Sequence, residues 1–125
     1  MKNSEYTIYQ MHAEVCKTLA SARRIEIIDR LRDGKMLAGD LARVMGISKA
    51  NLSQHLSIMR RNGIVNARRE GAHMHYRISS RKVVKACQLM REVLLERLAQ
   101  GNELSKLARS IDPRERKHEI PVHLE

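Results

Sequence analysis

Residues 48–63, SKANLSQHLSIMRRNG, combine an apolar stripe with side chains that donate and accept hydrogen bonds. The stripe consists of Leu52, Leu56 and Met59, whose spacing of four and three residues is that of one face of an α-helix. The other side carries amide, hydroxyl, imidazole and cationic groups, which suit a negatively charged partner that also offers hydrogen bonds. The alternative is an ordinary solvated helix face. The elements predicted on either side help to decide between a binding surface and a solvated face.

The segments on either side predict the elements that would hold this stripe. Apolar residues at helical spacing indicate helices over residues 5–20, 22–32 and 37–46, and a turn at Gly46 leads to Ser48, a good N-cap for the next helix. Beyond Gly63 the period changes, and residues 64–69 and 73–79 indicate two short strands joined by a tight turn at Gly71. Helical spacing returns over 81–99, and a further short helix is predicted over 102–110.

The predicted core is aliphatic, because the chain has no Phe or Trp and three Tyr. On the second helix, the predicted buried side is Ile25, Ile28 and Leu31, with Ile27 beside them. On the third helix, the predicted buried residues are Leu37, Leu41, Val44 and Met45. The length of 125 residues suits one domain built around such a core.

Two helices separated by a short Gly-containing turn match the helix-turn-helix, in which the first helix supports a second that enters the DNA major groove. The apolar stripe would bind the scaffold and leave the polar side for DNA. Asn and Gln amides near the start of such a helix can bond adenine with two hydrogen bonds, whereas the arginines at its end are better placed for phosphates. The candidate DNA-binding residues of this helix are Ser48, Lys49, Asn51, Ser53, Gln54, His55, Arg60 and Arg61.

The predicted hairpin adds Arg68, Arg69 and Arg77 as further candidate DNA contacts. Between residues 48 and 77 there are six basic residues and a single acidic one, Glu70. A basic two-stranded wing after a helix-turn-helix predicts a winged helix whose wing lies against the DNA backbone or the minor groove. The net charge of +10 for the whole chain also favours a polyanionic partner.

The stretches KTLASARRIEIIDRLRDG, DLARVMGISKANLSQHLSIMRRNGIV and ARREGAHMHYRIS resemble the ArsR/SmtB family of dimeric winged-helix repressors. The resemblance implies a mainly α fold with a small β-hairpin and a homodimer formed by the first and last long helices. It also implies a sequence-specific repressor that binds an imperfect inverted repeat in double-stranded DNA. The winged-helix and dimerisation domain is then expected over residues 1–110, followed by a charged, mobile tail over 111–125.

Two metal sites of that family lack their ligands here. Leu37 and Gly39 stand where one sensor type has two Cys, and residues 81–99 contain neither the His nor the Asp of the zinc-type site. We therefore expect no cofactor and neither of these metal sites.

The remaining reactive groups are Cys16 and Cys87, which the resemblance places together at the dimer interface. One interpretation is a redox or reactive-sulfur switch, in which the basic neighbours Lys17, Lys85 and Arg91 lower a thiol pKa. Another is that both are small core residues. A third is a soft-metal site whose third ligand is unidentified.

Other classes of function fit the sequence less well. It contains no nucleophile elbow and no phosphate-binding Gly loop, so we do not expect an enzyme. No apolar run approaches the ~18 residues of a membrane span and no signal-peptide pattern is present, so we expect a cytoplasmic protein without a membrane partner. The main alternative is a nonspecific architectural, nucleoid-type DNA-binding protein. That function would explain the charge but not the uncharged Asn51, Ser53 and Gln54, which suit sequence readout.

Overall fold

The computed structural model describes residues 2–101 together with Leu107 and Ser110. Most of the helix predicted over 102–110, the domain boundary at 110 and the tail over 111–125 therefore lie outside the described residues. The elements run in the order α1 (Lys2–Thr18), α2 (Ala22–Leu31), β1 (Met36–Leu37), α3 (Ala38–Met45), α4 (Lys49–Arg61), β2 (Val65–Glu70), β3 (His73–Ile78) and α5 (Arg81–Leu98). No helix in the described part of the chain has the length and apolar character needed to cross a bilayer.

The predicted order of helices, turn and hairpin is confirmed, and the sheet has one strand more than expected. β1 pairs antiparallel with β3, Met36 opposite Tyr76 and Leu37 opposite His75, so the strand order is β1-β3-β2. The sequence placed Leu37 in the third helix. A strand of two residues is too short to show a periodic pattern in the sequence. It is defined only by its pairing with β3, so the sequence does not predict it.

The hairpin separates its side chains onto two faces. β2 and β3 pair without interruption from Val65 opposite Ile78 to Glu70 opposite His73, and Gly71 in the connecting turn has φ of 66°. Because alternate residues of a strand point to opposite sides, cross-strand partners share a face. One face carries Val65, Ala67, Arg69, Met74, Tyr76 and Ile78, and the other carries Asn66, Arg68, Glu70, His73, His75 and Arg77.

The core of the unit that ends at Val84 lies among α2, α3, α4 and the start of β2. The predicted stripe of Leu52, Leu56 and Met59 is confirmed, with exposures of 2% or less. The other helices contribute Ile27, Ile28 and Leu31 from α2, Leu41, Ala42 and Met45 from α3 and Val84 from the start of α5, and Ile64 and Val65 are also buried.

Two residues predicted to be buried lie at the edge of their helix faces instead. Ile25 is 37% exposed and Val44 is 42% exposed. At about 100° per residue, each lies roughly a quarter to a third of a turn from the centre of the face that its helix buries. The spacing of these residues fits a helix, but the width of the buried face depends on which neighbours pack against it.

A second unit begins at Lys85 and includes most of α5. Within that unit α5 leaves a series of large apolar side chains exposed, namely Leu89, Met90, Val93 and Leu94. In the first unit, α1 does the same with Tyr6, Ile8, Tyr9 and Met11. Apolar surface of this kind on a small protein is typical of an interaction site.

Candidate nucleic-acid interface

The turn between α3 and α4 fixes the direction of the candidate DNA-reading helix. Gly46 ends α3 with φ of 69° and ψ of 32°, a left-handed conformation that glycine adopts without a Cβ penalty. Ser48 then caps α4, because its hydroxyl accepts a hydrogen bond from the Asn51 N–H at 3.0 Å. The structure thus gives Ser48 a capping role, and its hydroxyl proton is still available to donate.

Most of the polar side chains of α4 are exposed. Opposite the buried stripe, Lys49, Asn51, Ser53 and Gln54 near the start of the helix are exposed, and so are Arg60 and Arg61 in its last turn. The helix therefore separates an anchoring side from a side with amide, hydroxyl and cationic groups, as the sequence predicted.

The Lys and Arg residues of α4 and the hairpin form no ion pairs with carboxylates in the described part of the chain, unlike many basic residues elsewhere in it. Arg23, Arg30, Arg32, Lys35 and Arg43 each form an ion pair with a carboxylate. Within the described residues no such pair involves any of the six candidate DNA-binding cations, Lys49, Arg60, Arg61, Arg68, Arg69 and Arg77. None of the six is thus tied up in a direct ion pair within the described residues, although the charge of Arg68 contributes to lowering the pKa of Glu70.

Glu70, the acidic residue of the hairpin, is held by two partners. Its carboxylate oxygens accept hydrogen bonds from Lys35 Nζ at 3.2 and 3.0 Å, and His75 Nε2 lies 2.9 Å from Oε1. The hydrogen bond from Lys35 is the main cause that lowers the pKa of Glu70. Sequence reasoning missed the Lys35–Glu70 contact, because the two residues are 35 positions apart.

Two surface clefts lie beside these side chains. One, of about 470 Å³, is lined by four basic residues, Lys35, Arg60, Arg68 and Arg77, together with Glu70 and His75 among others. The other, of about 450 Å³, has Lys49 and Ser53 of α4 and His73 of the hairpin among its lining residues. The start of α4 and the hairpin therefore border a common groove, and the end of α4 borders the basic cleft.

His55 is placed differently from the other candidates. It is half-buried, and its Nδ1 accepts a hydrogen bond from Arg24 Nε at 3.3 Å. Burial lowers the pKa of His55, and the charges of Arg24 and Arg23 lower it further. Sequence reasoning gave no sign of this bond, which joins residues 31 positions apart.

The two cysteines are free thiols in different units of the chain. Cys16 is exposed on α1, and Cys87 is half-buried on α5. Burial raises the pKa of Cys87, and the charge of Arg91 only partly opposes this effect. For Cys87 the expectation of a lowered thiol pKa is therefore wrong. Among the described residues, no cluster of three or more His, Cys, Asp or Glu side chains is arranged to hold a metal ion.

Comparison with known proteins places this architecture among transcriptional regulators. The family model of the bacterial regulatory proteins, arsR family, matches residues 21–67. The uncharacterized HTH-type transcriptional regulator Rv0081 of Mycobacterium tuberculosis is 39% identical over 92 residues, which are 70% of this chain and 77% of Rv0081. The transcriptional activator HlyU of Vibrio cholerae is 36% identical over 74 residues, covering 59% of this chain and 68% of HlyU.

A solved structure extends the likeness to the fold. It is the solution structure of the homodimeric winged helix-turn-helix DNA-binding domain of Mb0332 from Mycobacterium bovis, a possible ArsR-family regulator. The two folds superimpose with a TM-score of 0.71 at 31% identity, over 78% of this chain and 90% of that one.

Proposed function

Because this chain belongs to the ArsR family of winged helix-turn-helix, DNA-binding transcriptional regulators, we propose that it binds an imperfect inverted repeat in double-stranded DNA as a homodimer and represses transcription. The family regulates transcription and is not one of enzymes. The observation that carries the proposal is the division of α4 into a side buried in the core and a side that exposes amide, hydroxyl and cationic groups. A regulator that binds a bacterial chromosome acts in the cytoplasm.

In the proposed complex, the start of α4 reads bases and the flanking cations hold phosphates. Asn51, Ser53 and Gln54 are uncharged, and their hydrogen bonds discriminate between bases in a way that charge alone does not. Arg60 and Arg61 at the end of α4 and the three arginines of the hairpin supply the salt-dependent part of the affinity. Lys49 stands among the base-reading residues but bears a charge, so it suits a base edge or a phosphate.

The exposed apolar residues of α1 and α5 support a dimer. Tyr6 and Tyr9 on α1 are 62% and 67% exposed, and Leu89 and Met90 on α5 are 60% and 67% exposed. A second copy of the chain is the partner that would cover them, as the homodimeric state of Mb0332 suggests. A two-fold dimer presents two copies of α4, so the half-sites are expected about one DNA turn, roughly 34 Å, or a multiple of it apart.

The direction of regulation follows from the simplest use of such a dimer. Repression needs only that the bound dimer cover its site and exclude the polymerase, which a winged-helix domain does by occupancy. Activation, the role in the name of HlyU, needs a further productive contact. Transcription in vitro from a promoter that contains the selected site should therefore fall as protein is added, and a rise would contradict repression.

Selection of bound duplexes from a random pool is the experiment that tests the function. We expect an enriched inverted repeat, bound by two chains per duplex. A nonspecific architectural protein would instead leave the pool without a preferred sequence. That result, with binding that depends on salt alone, would replace the proposal with the architectural function.

Replacing Gln54 with alanine should relax the base preference at one position of each half-site. A bidentate contact from a glutamine amide is worth about 1–3 kcal/mol of discrimination against the wrong base. The measurement is the affinity for the selected operator and for its single-base variants. Gln10→Ala removes an exposed amide from α1 and should leave the preference unchanged. Equal discrimination by Gln54→Ala and the wild-type protein would remove Gln54 from the interface.

We further propose that oxidation of Cys16 and Cys87 to a disulfide, within one chain or across the dimer, releases the DNA. Hydrogen peroxide takes up two electrons and the two thiol hydrogens and is reduced to two molecules of water, while an Sγ–Sγ bond forms between the cysteines. In the single chain Cys16 is exposed and Cys87 is half-buried, so Cys16 is the more accessible of the two thiols.

The thiol proposal predicts that Cys16→Ser and Cys87→Ser each abolish peroxide-induced release of operator DNA. Both variants should bind DNA like the reduced wild-type protein, and a dithiol reductant should restore binding to the oxidised wild-type protein. Release by peroxide that persists in both serine variants would show that the two thiols are structural.

A further inference from the structure

Arg24 connects three helices of the first unit. From α2, its Nε donates a hydrogen bond to Nδ1 of His55 on α4 at 3.3 Å. Its Nη1 donates to the backbone carbonyl of Thr18, the last residue of α1, at 3.0 Å. Thr18 is itself buried at 4% exposure, and its hydroxyl donates to the Glu14 carbonyl. One rigid guanidinium therefore fixes the candidate DNA-reading helix to the end of α1.

The bond from Arg24 also sets the chemistry of the His55 ring. A ring nitrogen that accepts a hydrogen bond carries no proton, so the proton of the neutral ring is on Nε2. Nε2 has no hydrogen-bond partner among residues 2–101. It is also not among the buried polar atoms that lack a partner in this part of the chain, so it is accessible to solvent. His55 is thus a hydrogen-bond donor whose donating atom is not used within the described fold.

The surroundings of His55 keep this donor neutral. The charged groups that face it from α2 are Arg24 and Arg23, and both disfavour an imidazolium. Partial burial acts in the same direction and is the larger cause of the lowered pKa. The two arginines differ in their hydrogen bonds: Arg24 donates to the ring, whereas Arg23 pairs with Glu26 at 3.5 Å.

We propose that Arg24 is a positioning residue that holds His55 as a neutral Nε2–H donor to an acceptor atom of the bound DNA. The inference rests on the proposed function, since it assigns a partner to a side chain of the same interface. Suitable acceptors are a phosphate oxygen or a base-edge acceptor in the major groove, such as guanine O6 or N7 or thymine O4. The amino groups of adenine and cytosine are donors and are not recognised.

The first test uses the free protein and nitrogen-15 NMR of the histidine rings, with His55 assigned by its loss in His55→Ala. We expect the neutral His55 ring to be protonated at Nε2 and its pKa to be below the ordinary value. Arg24→Gln should admit the Nδ1-protonated ring and raise the pKa, whereas Arg23→Gln, which removes the same charge, should keep the Nε2–H form. A wild-type ring protonated at Nδ1, or a ring unaffected by Arg24→Gln, would overturn the proposal.

The second test measures binding to the selected operator. His55→Ala and Arg24→Gln should each weaken it by about 2- to 12-fold, the effect of one hydrogen bond, and Arg23→Gln should weaken it less. The double variant should lose no more than His55→Ala alone, because both changes remove the same contact. An equal loss over all sequences identifies a phosphate as the acceptor, and a loss confined to one base pair identifies a base edge. Additive losses, or equal losses in the Arg23 and Arg24 variants, would contradict the positioning role.

The two tests also separate this inference from the proposed function. If the wild-type protein selects no sequence, the proposed function fails while the NMR result on His55 still stands. If the wild-type protein selects an operator and His55→Ala binds it equally well, the inference fails alone. Arg24→Lys keeps the charge but cannot bridge two acceptors through a guanidinium fork, so it should resemble Arg24→Gln in the position of the ring proton and in DNA binding, while the pKa of His55 stays lowered.

Discussion

Replacing Arg68, Arg69 and Arg77 together with glutamine should weaken operator binding by about 100-fold near physiological salt. All three side chains are exposed, and none forms a direct ion pair with a carboxylate within the described residues. Each arginine that neutralises a phosphate releases condensed counterions, which contributes about −0.9 to the slope of log affinity against log salt. The triple variant should therefore show a slope that is smaller in magnitude by about 2.7. Fluorescence anisotropy with the selected operator over a series of salt concentrations measures both quantities.

The matched control replaces the same three arginines with lysine. Lysine keeps the charge and therefore should keep most of the salt slope, although it loses the bidentate geometry of arginine. Sequence preference should change little in either variant, because phosphate contacts carry no direct base information. A glutamine variant whose salt slope equals that of the wild-type protein would remove the hairpin from the DNA interface.

Replacing Leu56 with alanine should reduce the free energy of unfolding by about 2–5 kcal/mol. Leu56 is 2% exposed and lies at the middle of the stripe that anchors α4. The truncation removes apolar contacts and leaves a cavity beneath a helix whose other side faces solvent. Since a whole domain of this kind is stable by only about 5–15 kcal/mol, a large part of that stability would be lost. Urea unfolding followed by circular dichroism measures the change.

Ile58→Ala provides the comparison on the same helix. Ile58 is only half-buried at the margin of the stripe, so the loss of stability should be clearly smaller. DNA binding by Leu56→Ala should recover at low temperature, where the variant is folded, because no base contact has been removed. A loss below about 1 kcal/mol for Leu56→Ala would mean that the stripe is not what holds α4.

The parts of the fold that were predicted from the sequence are those with a local signal. The stripe of Leu52, Leu56 and Met59, the Ser48 cap and the hairpin at Gly71 each depend on residues a few positions apart. β1 and the exposure of Ile25 and Val44 depend on which distant segment packs alongside, and periodicity carries no such information.

The candidate site divides in the same way. The exposed polar side of α4 follows from helical spacing, whereas the hairpin register places Arg69 on the opposite face from Arg68 and Arg77. The contacts that orient them, from Arg24 to His55 and from Lys35 to Glu70, join residues more than 30 positions apart. The predicted lowering of the Cys87 thiol pKa is wrong for a related reason. The prediction counts charged neighbours in the sequence, but burial raises this pKa by more than the charge of Arg91 lowers it.

The contact of Glu70 with Lys35 reduces the conformational entropy that the wing loses when DNA binds. It ties the hairpin to the segment just before β1, and β1 itself pairs with β3 and leads directly into α3. The wing is thereby held in place before any duplex arrives, and less conformational freedom is lost when the complex forms. Preorganisation of this kind favours nearly rigid docking over folding upon binding. The association rate is then not slowed by a rearrangement of the hairpin.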